Sequence, residues 1–591
     1  MSNIEYCVII WAFGGDHMRL SMSKSKNSTS LYVIKSTYEN GRHSSKIIEK
    51  LGTLDELKKK LGDQDLNLNP VEWAREYVAK LNKKEKENAR EVIVKYSPSK
   101  LIEKGAQHSF NGGYLFIKRI YRQLGLSQIC ADITNRRGFA FDLDSILSML
   151  VFTRIIYPAS KRSALELSKR FIEPPDFELH HIYRALEVIA KEGDYIQSQL
   201  YKNSLAVSKR NTGILYYDCT NYFFEIEQEE GLKQYGYSKE HRPNPIVEMG
   251  LFIDGDGIPL ALSIHDGNTN EQLTMTPLEE KILKDFKLSR FIVCTDAGLA
   301  SAANRKFNDR GDRAFITTQS LKKLKKHLKD WALACDGWKF SDDGKIYDIS
   351  KIDKDEDKDK TFYKERWINE DGLEQKLVVT YSLKYRDYQR TIRQRQVERA
   401  GKVIKTNPTK LKKCNQNDYK RFIQKTALTQ SGEAAQRETF RINSDLIAAE
   451  EAFDGFYAVC TNLEDDAPQI IKLNHGRWEI EECFRIMKHE FKARPVYLSR
   501  DDRIKAHFTT CFLSLVIFRF LEKKLGGKYT CPDIIQNLKD MNFSLIKGEG
   551  YVPSYTRNDF TDDLHDAFGF RTDYQIINNR HMKNIFAQIV S

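Results

Sequence analysis

Three segments rich in β-branched and aromatic residues follow one another in the middle of this chain and constrain its fold most strongly. They lie at residues 214–224, 247–253 and 258–264, and the turn motif Asp254-Gly-Asp-Gly257 joins the last two. A helical pattern follows at 277–286, and a fourth short apolar segment lies at 291–295. Three meandering strands, a helix and a fourth strand predict an α/β domain with a mixed sheet flanked by helices.

Two acidic residues occupy unusual places in these predicted strands. Asp218 lies in the middle of the first strand, where an unpaired carboxylate costs several kcal/mol. Asp296 directly follows the fourth strand and precedes Gly298. A single acid in such a place is often a satisfied turn residue or helix cap. However, this order of elements is typical of the opening of an RNase H-like fold, and we therefore predict an RNase H-like core with both acids near its centre.

A third acid lies on a predicted helix that begins near Arg477. At ~100° per residue, Arg477, Glu481 and Lys488 are expected to line one stripe of this helix. An adjoining stripe is apolar and is expected to pack on the sheet; it consists of Ile480, Phe484, Met487 and Phe491. The same periodicity predicts that Glu479 and Glu482 point into solvent and that Glu481 lies beside the core. The alternative is a surface helix stabilised by an Arg–Glu pair one turn apart.

Three carboxylates gathered at the centre of a sheet favour a metal site. Their hard oxygen ligands suit Mg²⁺ or Mn²⁺, which neutralises acids that otherwise repel one another. Two such ions can activate a water or a 3′-hydroxyl and stabilise the leaving oxygen in phosphodiester cleavage. Cys219, Cys294 and Cys483 neighbour the three acids in sequence, and we interpret them as small core residues rather than ligands.

The chain resembles the DDE transposases of bacterial insertion sequences, in the group with the YREK signature (the IS-four superfamily). That signature is Tyr, two residues, Arg, three residues, Glu, six residues, Lys, and Arg477, Glu481 and Lys488 fit its spacing. Asn474 stands at the Tyr position, which is a departure. Further segments that look like this group are Arg154–Lys161, Tyr217–Asn221, Tyr237–Pro243, Asp296–Gly298 and Arg494–Tyr497.

The resemblance implies roles for particular residues. Asp218, Asp296 and Glu481 are expected to be the catalytic triad that holds two divalent ions, Mg²⁺ or Mn²⁺. Arg477 and Lys488 are expected to contact DNA near the scissile phosphate, and we add Arg485 of the same helix. His241 and Arg242 could also bind phosphate, although an ordinary surface loop is the alternative.

The remaining segments suggest a domain layout. Two short strands around Asn40-Gly41 predict an N-terminal hairpin, followed by a Lys-rich helix at about 70–89 that contacts DNA backbone or is simply solvated. The predicted units are an N-terminal DNA-binding region (1–105), a helical domain (106–210), the first part of the core (211–310), a β-rich insertion domain (311–450), the second part of the core (451–530) and a C-terminal region (531–591).

Composition limits the class of protein and its partners. The 591 residues carry 94 Lys and Arg against 82 Asp and Glu, a surplus of +12 that suggests a polyanionic partner or merely a basic protein. Ten cysteines without a CxxC pair argue against a disulfide framework and a zinc cluster. The apolar run 508–521 is too short to span a bilayer and predicts a buried core helix, so we expect no membrane partner. The apolar stretch 6–13 lacks a basic segment before it, which argues against a signal peptide.

These observations together predict a transposase. It is expected to bind the terminal inverted repeats of its element, cut the strands there and join them to target DNA, as a homodimer in the bacterial cytoplasm, on the nucleoid when bound to DNA. One alternative is an RNase H-like nuclease or resolvase that cuts without joining. The other is an inactivated DNA-binding protein that retains the fold, for which Asn474 is the only indication.

Overall fold

The computed structural model describes residues 18–25, 28–39, 42–62, 69–88, 92–341, 343, 345–406, 418–428 and 437–590. Within these ranges the chain forms two compact units, one up to Ala106 and one from Gln107 onward. The Asn40-Gly41 turn and the apolar stretch 6–13 considered above lie outside the described residues.

The first unit is a three-stranded antiparallel sheet with two helices. Its elements are β1 (Met18–Lys24), β2 (Thr29–Glu39), β3 (Arg42–Thr53), α1 (Leu54–Gly62) and α2 (Pro70–Asn88). The two strands predicted on either side of Asn40-Gly41 are β2 and β3, and their antiparallel pairing is confirmed. A small core of Leu31, Leu57 and Ala74 joins the sheet to both helices.

The second unit begins with a helical region, as the sequence predicts. It contains β4 (Ser109–Asn111), α3 (Tyr114–Gln123), α4 (Leu126–Arg137), α5 (Leu143–Ile156), α6 (Lys161–Ser168), α7 (Leu179–Lys191) and α8 (Gly193–Val207). Helix α5 begins at a side-chain cap, since Asp142 accepts a hydrogen bond from the Ser145 backbone. Eleven of its fourteen residues are buried, which makes α5 a central element of the largest hydrophobic core.

The predicted order of strands and helix between residues 214 and 296 is confirmed. The elements are β5 (Ile214–Phe223), β6 (Ile246–Asp254), β7 (Pro259–Asp266), α9 (Met275–Lys281) with a π-helical turn (Ile282–Phe286), β8 (Phe291–Thr295), α10 (Ala302–Phe307) and β9 (Arg313–Thr318). Strands β5, β6 and β7 pair antiparallel, whereas β8 is parallel to both β5 and β9. The sheet order is therefore β9-β8-β5-β6-β7.

The segment between β9 and residue 461 enlarges this sheet. It contains α11 (Lys326–Leu333), β10 (Trp338–Lys339), β11 (Ile346–Tyr347), β12 (Thr361–Glu370), β13 (Leu373–Ser382), α12 (Leu383–Thr406), β14 (Ile423–Leu428), β15 (Arg437–Ile442), α13 (Ser444–Glu451) and β16 (Phe456–Thr461). Because β16 pairs with both β9 and β13, the sheet has ten strands in the order β11-β10-β12-β13-β16-β9-β8-β5-β6-β7. The 24-residue helix α12 was not predicted from the sequence, where this segment was expected to be β-rich.

The C-terminal part supplies the helices that cover the sheet. Its elements are α14 (Ala467–His475), α15 (Trp478–Arg485) with a π-helical turn (Ile486–Glu490), α16 (Asp501–Lys524), α17 (Cys531–Asp540), β17 (Asn542–Ile546), β18 (Gly550–Pro553), α18 (Asp559–Phe568), β19 (Ile577–Asn578) and α19 (Asn579–Val590). Helices α15 and α16 pack on one face of the sheet with Tyr216 and Tyr222 of β5, and α9 packs on the other with Tyr217 and Cys219.

Helix α16 is long and apolar enough to cross a membrane by length and composition, but 89% of its most apolar window is buried inside the protein. Helices α5 and α6, which meet at a bend of 92°, are long and apolar enough to cross a membrane only if they are counted together as one span. The burial of α16 agrees with its prediction as a core helix.

Candidate active site

Asp218 and Asp296 lie at neighbouring strands of the sheet. Asp218 is in β5, and Asp296 follows β8, the parallel neighbour of β5. Asp218 Oδ1 accepts a hydrogen bond of 2.8 Å from the Cys219 backbone. Asp296 Oδ1 accepts two, of 2.9 and 3.1 Å, from the Gly298 and Leu299 backbones. These bonds fix the two carboxylates, which lie level with each other across the neighbouring interior strands β5 and β8.

The charge of Asp218 is strongly influenced by its surroundings. The pKa of its carboxyl is raised from 3.8 to about 6, mainly by burial and to a smaller extent by the nearby Asp296 carboxylate, while Lys239 and Arg477 act in the opposite direction. Two nearby carboxylates repel each other, and a divalent cation bound between them relieves this repulsion. Asp218 and Asp296 therefore fit one side of a divalent-ion site.

Burial and the charge of Asp296 lead to a prediction about pH. In the metal-free protein Asp218 is expected to be protonated below about pH 6 and ionised above it. Because its folded-state pKa is raised, ionising Asp218 costs folding free energy, and this cost grows as the pH rises from about 4 to about 6. The infrared band of a protonated carboxyl, identified by its loss in Asp218→Asn, measures this titration.

The substitution Asp296→Asn is the control for this titration. It removes the like charge and should move the infrared transition of Asp218 to lower pH, because the remaining cations Lys239 and Arg477 then act alone against burial. A transition in the ordinary aspartate range below pH 4.5 in the unmodified protein would contradict the assigned environment.

Helix α15 is positioned over β5 by a close contact at its start. Tyr216 Oη of β5 donates a 2.9 Å hydrogen bond to the Leu473 carbonyl, and a Cβ at Gly476 would lie 2.0 Å from that same phenol oxygen. Only glycine fits there, directly before Arg477. Arg477 in turn lies within electrostatic reach of Asp218 and Cys294. The predicted apolar stripe of this helix is confirmed, since Ile480, Phe484, Met487 and Phe491 are all buried.

Glu481 is exposed rather than beside the core, which corrects the prediction from periodicity. Glu479, expected in solvent, instead forms an ion pair with Arg519 of α16, which supplies a buried counter-charge on that side of the helix. Glu482 is also not free in solvent, because it pairs with Arg485 at 2.7 Å. A helical wheel of α15 alone contains no information about these partners.

A cavity of about 350 Å³ connects Arg477 and Glu481 to the strands beyond β9. Aromatic and polar side chains line it, among them Tyr385, Tyr457, Asn474, Arg477, Trp478 and Glu481. Asn474, which stands at the signature Tyr position, donates a 3.2 Å hydrogen bond from Nδ2 to Tyr457 Oη. The phenol of Tyr457 in β16 therefore lies next to Asn474, the position at which the YREK signature has its tyrosine.

Among the described residues no three His, Cys, Asp or Glu side chains are grouped closely enough to hold a metal ion as they stand. Asp218 and Asp296 are brought together, and Glu481 lies one helical turn beyond Arg477 on the adjoining cavity. The triad thus stays a prediction, in which the Glu481 side chain must approach the two aspartates.

The π-helical turn at Ile486–Glu490 changes the position of Lys488. The prediction of one stripe assumed a uniform α-helix, but a π turn spaces its hydrogen bonds five residues apart and shifts the side chains that follow. Lys488 Nζ donates a 2.5 Å hydrogen bond to Thr220 Oγ1, two residues beyond Asp218 on the same face of β5. Burial and the nearby Lys239 lower the pKa of Lys488 to about 8.

The other predicted DNA-contacting residues differ in their surroundings. Arg485 is held by Glu482 at 2.7 Å and by Glu490 at 3.0 Å, so its charge is already balanced. Arg242 lies in the loop between β5 and β6 with its guanidinium 4.0 Å from the Phe223 ring centre. His241 of the same loop has a positive φ of 56°.

Sequence reasoning missed two groups next to Asp218. Lys239 forms a 2.9 Å ion pair with Glu271, and although burial opposes it, Asp218 and Glu271 raise the pKa of Lys239. Glu248 of β6 is 3% exposed, and burial raises its pKa to about 7. The signal that identified Asp218, an acid within an apolar strand, applies equally to Glu248.

The three cysteines beside the acids are core residues, as predicted. Cys219, Cys294 and Cys483 are at most 1% exposed, and burial raises the pKa of each thiol to about 12. A neutral thiol is a poor ligand, and hard cations prefer oxygen.

Comparison with known proteins gives a family match for the middle of the chain. A solved structure, the cryo-EM structure of the piggyBac transposase synaptic complex with hairpin DNA, aligns over 81% of this chain and 84% of that chain, with a TM-score of 0.35 and 8% identity, which is too distant a likeness to support an argument. No curated protein matches the chain. Residues 223–517 match the family model of the transposase DDE domain. That segment includes Asp296 and Glu481 and starts five residues after Asp218. Residues 223–517, just under half of the chain, are thus similar to the transposase DDE domain.

Proposed function

We propose that this protein is the transposase of a bacterial insertion sequence, in the YREK-signature group. It binds the terminal inverted repeats of its element, cleaves the strands there and joins the freed 3′-hydroxyls to target DNA. The observation that carries this proposal is the placement of Asp218 in β5 level with Asp296 after the neighbouring strand β8, with Arg477 within electrostatic reach of Asp218. Asp296 and Arg477 lie within the segment that matches the transposase DDE domain, and Asp218 lies just before it.

We further propose an RNase H-like core. The order β9-β8-β5-β6-β7, with three antiparallel strands followed by two parallel ones, supports it. In this interpretation the segment at about 311–450, which adds β10–β13 to one side of the sheet, is inserted between the second and third acids.

The catalytic roles follow from the chemistry of the side chains. Asp218, Asp296 and Glu481 would hold two Mg²⁺ or Mn²⁺ ions, which when bound activate the attacking hydroxyl and stabilise the leaving oxygen. Asp218, half-buried and hydrogen-bonded to the Cys219 backbone amide, would be held in place as one of these ligands. Arg477, beside Asp218, would place the scissile phosphate by a charge-assisted contact.

The assignment of DNA as the partner rests on the domain match and on the charge distribution. Two copies are proposed to act together, since an element has two ends to be held in one complex. The first unit, whose helix α2 carries Lys80, Lys83 and Lys84, is proposed to contribute to recognition of the ends through phosphate contacts.

A strand-transfer assay tests the function. Duplexes that end in the terminal repeats, read from the DNA flanking the gene, are mixed with the protein, Mg²⁺ and a supercoiled plasmid. We expect nicking at the repeat ends and covalent joining of the labelled strand to the plasmid. Pre-cut ends bypass the first step. Cleavage without joining from pre-cut ends would instead identify a nuclease or resolvase, and binding without any metal-dependent nicking would identify an inactivated DNA-binding protein.

A further inference from the structure

Three basic side chains converge on a single carboxylate next to the candidate active site. Glu240 forms an ion pair with Arg494, lies 3.7 Å from Arg242 Nε through its Oε2, and lies 4.0 Å from Lys488 Nζ through its Oε1. The three cations come from different parts of the chain: the loop between β5 and β6, the π-helical turn after α15, and the segment before α16.

The position of this cluster is fixed by the sheet. Lys488 is bonded to Thr220, and the guanidinium groups of Arg242 and Arg494 lie 4.0 and 5.9 Å from the ring centre of Phe223. Thr220 is two residues from Asp218, so the cluster begins about 7 Å from that carboxylate along the strand. The cluster opens to solvent on the side of Arg242, whose side chain is 49% exposed, against 15% for Arg494 and 13% for Lys488.

The charges in the cluster do not balance. Three cations surround one carboxylate, so these four half-buried side chains carry a surplus of two positive charges; Lys239, Glu248 and Asp218 act in addition on Lys488. A carboxylate and a phosphodiester each offer two acceptor oxygens that share one negative charge, and arginine binds both in the same forked geometry. The Glu240 carboxylate, which contacts all three cations in the free protein, therefore resembles a DNA backbone phosphate in charge and geometry.

We propose that Lys488, Arg242 and Arg494 form a binding site for one backbone phosphate of the DNA end, and that Glu240 occupies this site until DNA displaces it. The inference rests on the proposed function for its ligand, DNA, but it adds Arg494 as a phosphate contact and assigns Glu240 as the competing group. In the bound state the Glu240 side chain turns toward solvent, where it is already 27% exposed.

The substitution Glu240→Gln tests this assignment. The amide keeps the shape and one acceptor oxygen of the side chain but removes the competing charge. We expect it to bind a 30-bp duplex of arbitrary sequence on the order of tenfold more tightly in EDTA at low salt. We expect the slope of log K against log salt to stay about the same, because the same phosphate is neutralised in both proteins once DNA has displaced Glu240.

The matched control is Glu280→Gln. Glu280 is exposed on α9, on the opposite face of the sheet, so its substitution makes the same change in net charge away from the cluster. We expect less than a twofold change in affinity from it. If Glu240→Gln folds normally and binds no more tightly than Glu280→Gln, Glu240 is a fixed structural anchor and the proposal is wrong.

A second variant covers the case in which Glu240→Gln fails to fold. Arg242→Gln alters a half-exposed side chain and should weaken duplex binding and flatten the salt slope by about one unit. An unchanged slope would overturn the phosphate site. The binding assay uses no divalent ion, so it separates the two proposals: absence of any duplex binding overturns both, whereas normal binding without metal-dependent cleavage overturns only the proposed function.

Discussion

Replacing Asp218 by Asn is expected to abolish DNA cleavage while DNA binding is retained. Asn keeps the size of the side chain and an oxygen that can accept the hydrogen bond from the Cys219 backbone amide. It cannot supply the negative charge that binds a divalent ion. Loss of an ion ligand at the reacting centre is expected to slow cleavage by at least about a thousandfold. Nicking of end-containing duplex in Mg²⁺, together with gel-shift binding in EDTA, measures both quantities.

The same substitution should leave thermal stability unchanged or higher. Burial raises the pKa of the Asp218 carboxyl, so the fold disfavours its ionised form, and a neutral amide removes that unfavourable charge. The protein would thus keep a destabilising carboxylate at this position because the reaction needs it.

Asp312→Asn is the control for this pair of measurements. Asp312 is exposed just before β9, at the other end of the parallel strands from Asp296, and its substitution should change neither cleavage nor stability. Cleavage by Asp218→Asn within tenfold of the unmodified protein, or an equal loss of binding and cleavage, would remove Asp218 from the catalytic role.

Replacing Arg210 by Met is expected to destabilise the core of the sheet more than any surface change. Arg210 and Asp254 form an ion pair in which both side chains are at most 1% exposed. Arg210 also donates hydrogen bonds to Ser204 Oγ at 2.9 Å and to the carbonyls of Ile258 and Pro259 at 3.1 and 3.2 Å. The pair therefore joins α8 to the turn between β6 and β7.

The expected loss is about 3–5 kcal/mol, because the substitution leaves the Asp254 carboxylate buried without its partner. Native-state hydrogen exchange of the β6 and β7 amides measures this change locally, which avoids assuming that the two units unfold together. The double variant Arg210→Met with Asp254→Asn should recover part of the loss, since no uncompensated charge remains and the Asn oxygen can still accept the hydrogen bonds from the Asp256 and Ile258 backbones.

Arg290→Met provides the comparison with an exposed arginine. It lies just before β8 and should change the exchange free energy by less than about 0.5 kcal/mol. The Arg210–Asp254 pair does not stabilise the sheet as described if Arg210→Met lowers the exchange free energy no more than Arg290→Met does. The same conclusion follows if the double variant has no higher exchange free energy than Arg210→Met alone.

The local pattern of the sequence predicts the elements that form the site well. Strands β5, β6, β7 and β8 lie where β-branched and aromatic residues cluster, because such segments can bury both faces in a central sheet. The acids Asp218 and Asp296 stand out against these apolar segments for the same reason. The apolar stripe of α15 is equally visible, since burial imposes a helical period on the residues that face the sheet.

The same pattern fails where the partner of a side chain comes from elsewhere in the chain. Periodicity selects Glu481 over Glu479 for the core side of α15, yet Arg519, forty residues away, holds Glu479 there and Glu481 is exposed. The π-helical turn that moves Lys488 onto Thr220 is likewise absent from a uniform helical wheel. Both outcomes depend on contacts between segments that are distant in sequence.

The amino-acid sequence by itself determined which segments become the central strands, which acids stand within or beside them, and that a helix with a regularly spaced Arg, Glu and Lys accompanies them. Only the tertiary structure decided the electrostatic neighbours of each group: Lys239 and Glu248 around Asp218, and Glu240 among Lys488, Arg242 and Arg494. The reason is physical. Burial of apolar side chains leaves a periodic signal along the chain, whereas Coulomb interactions depend on distances in space that no local period encodes.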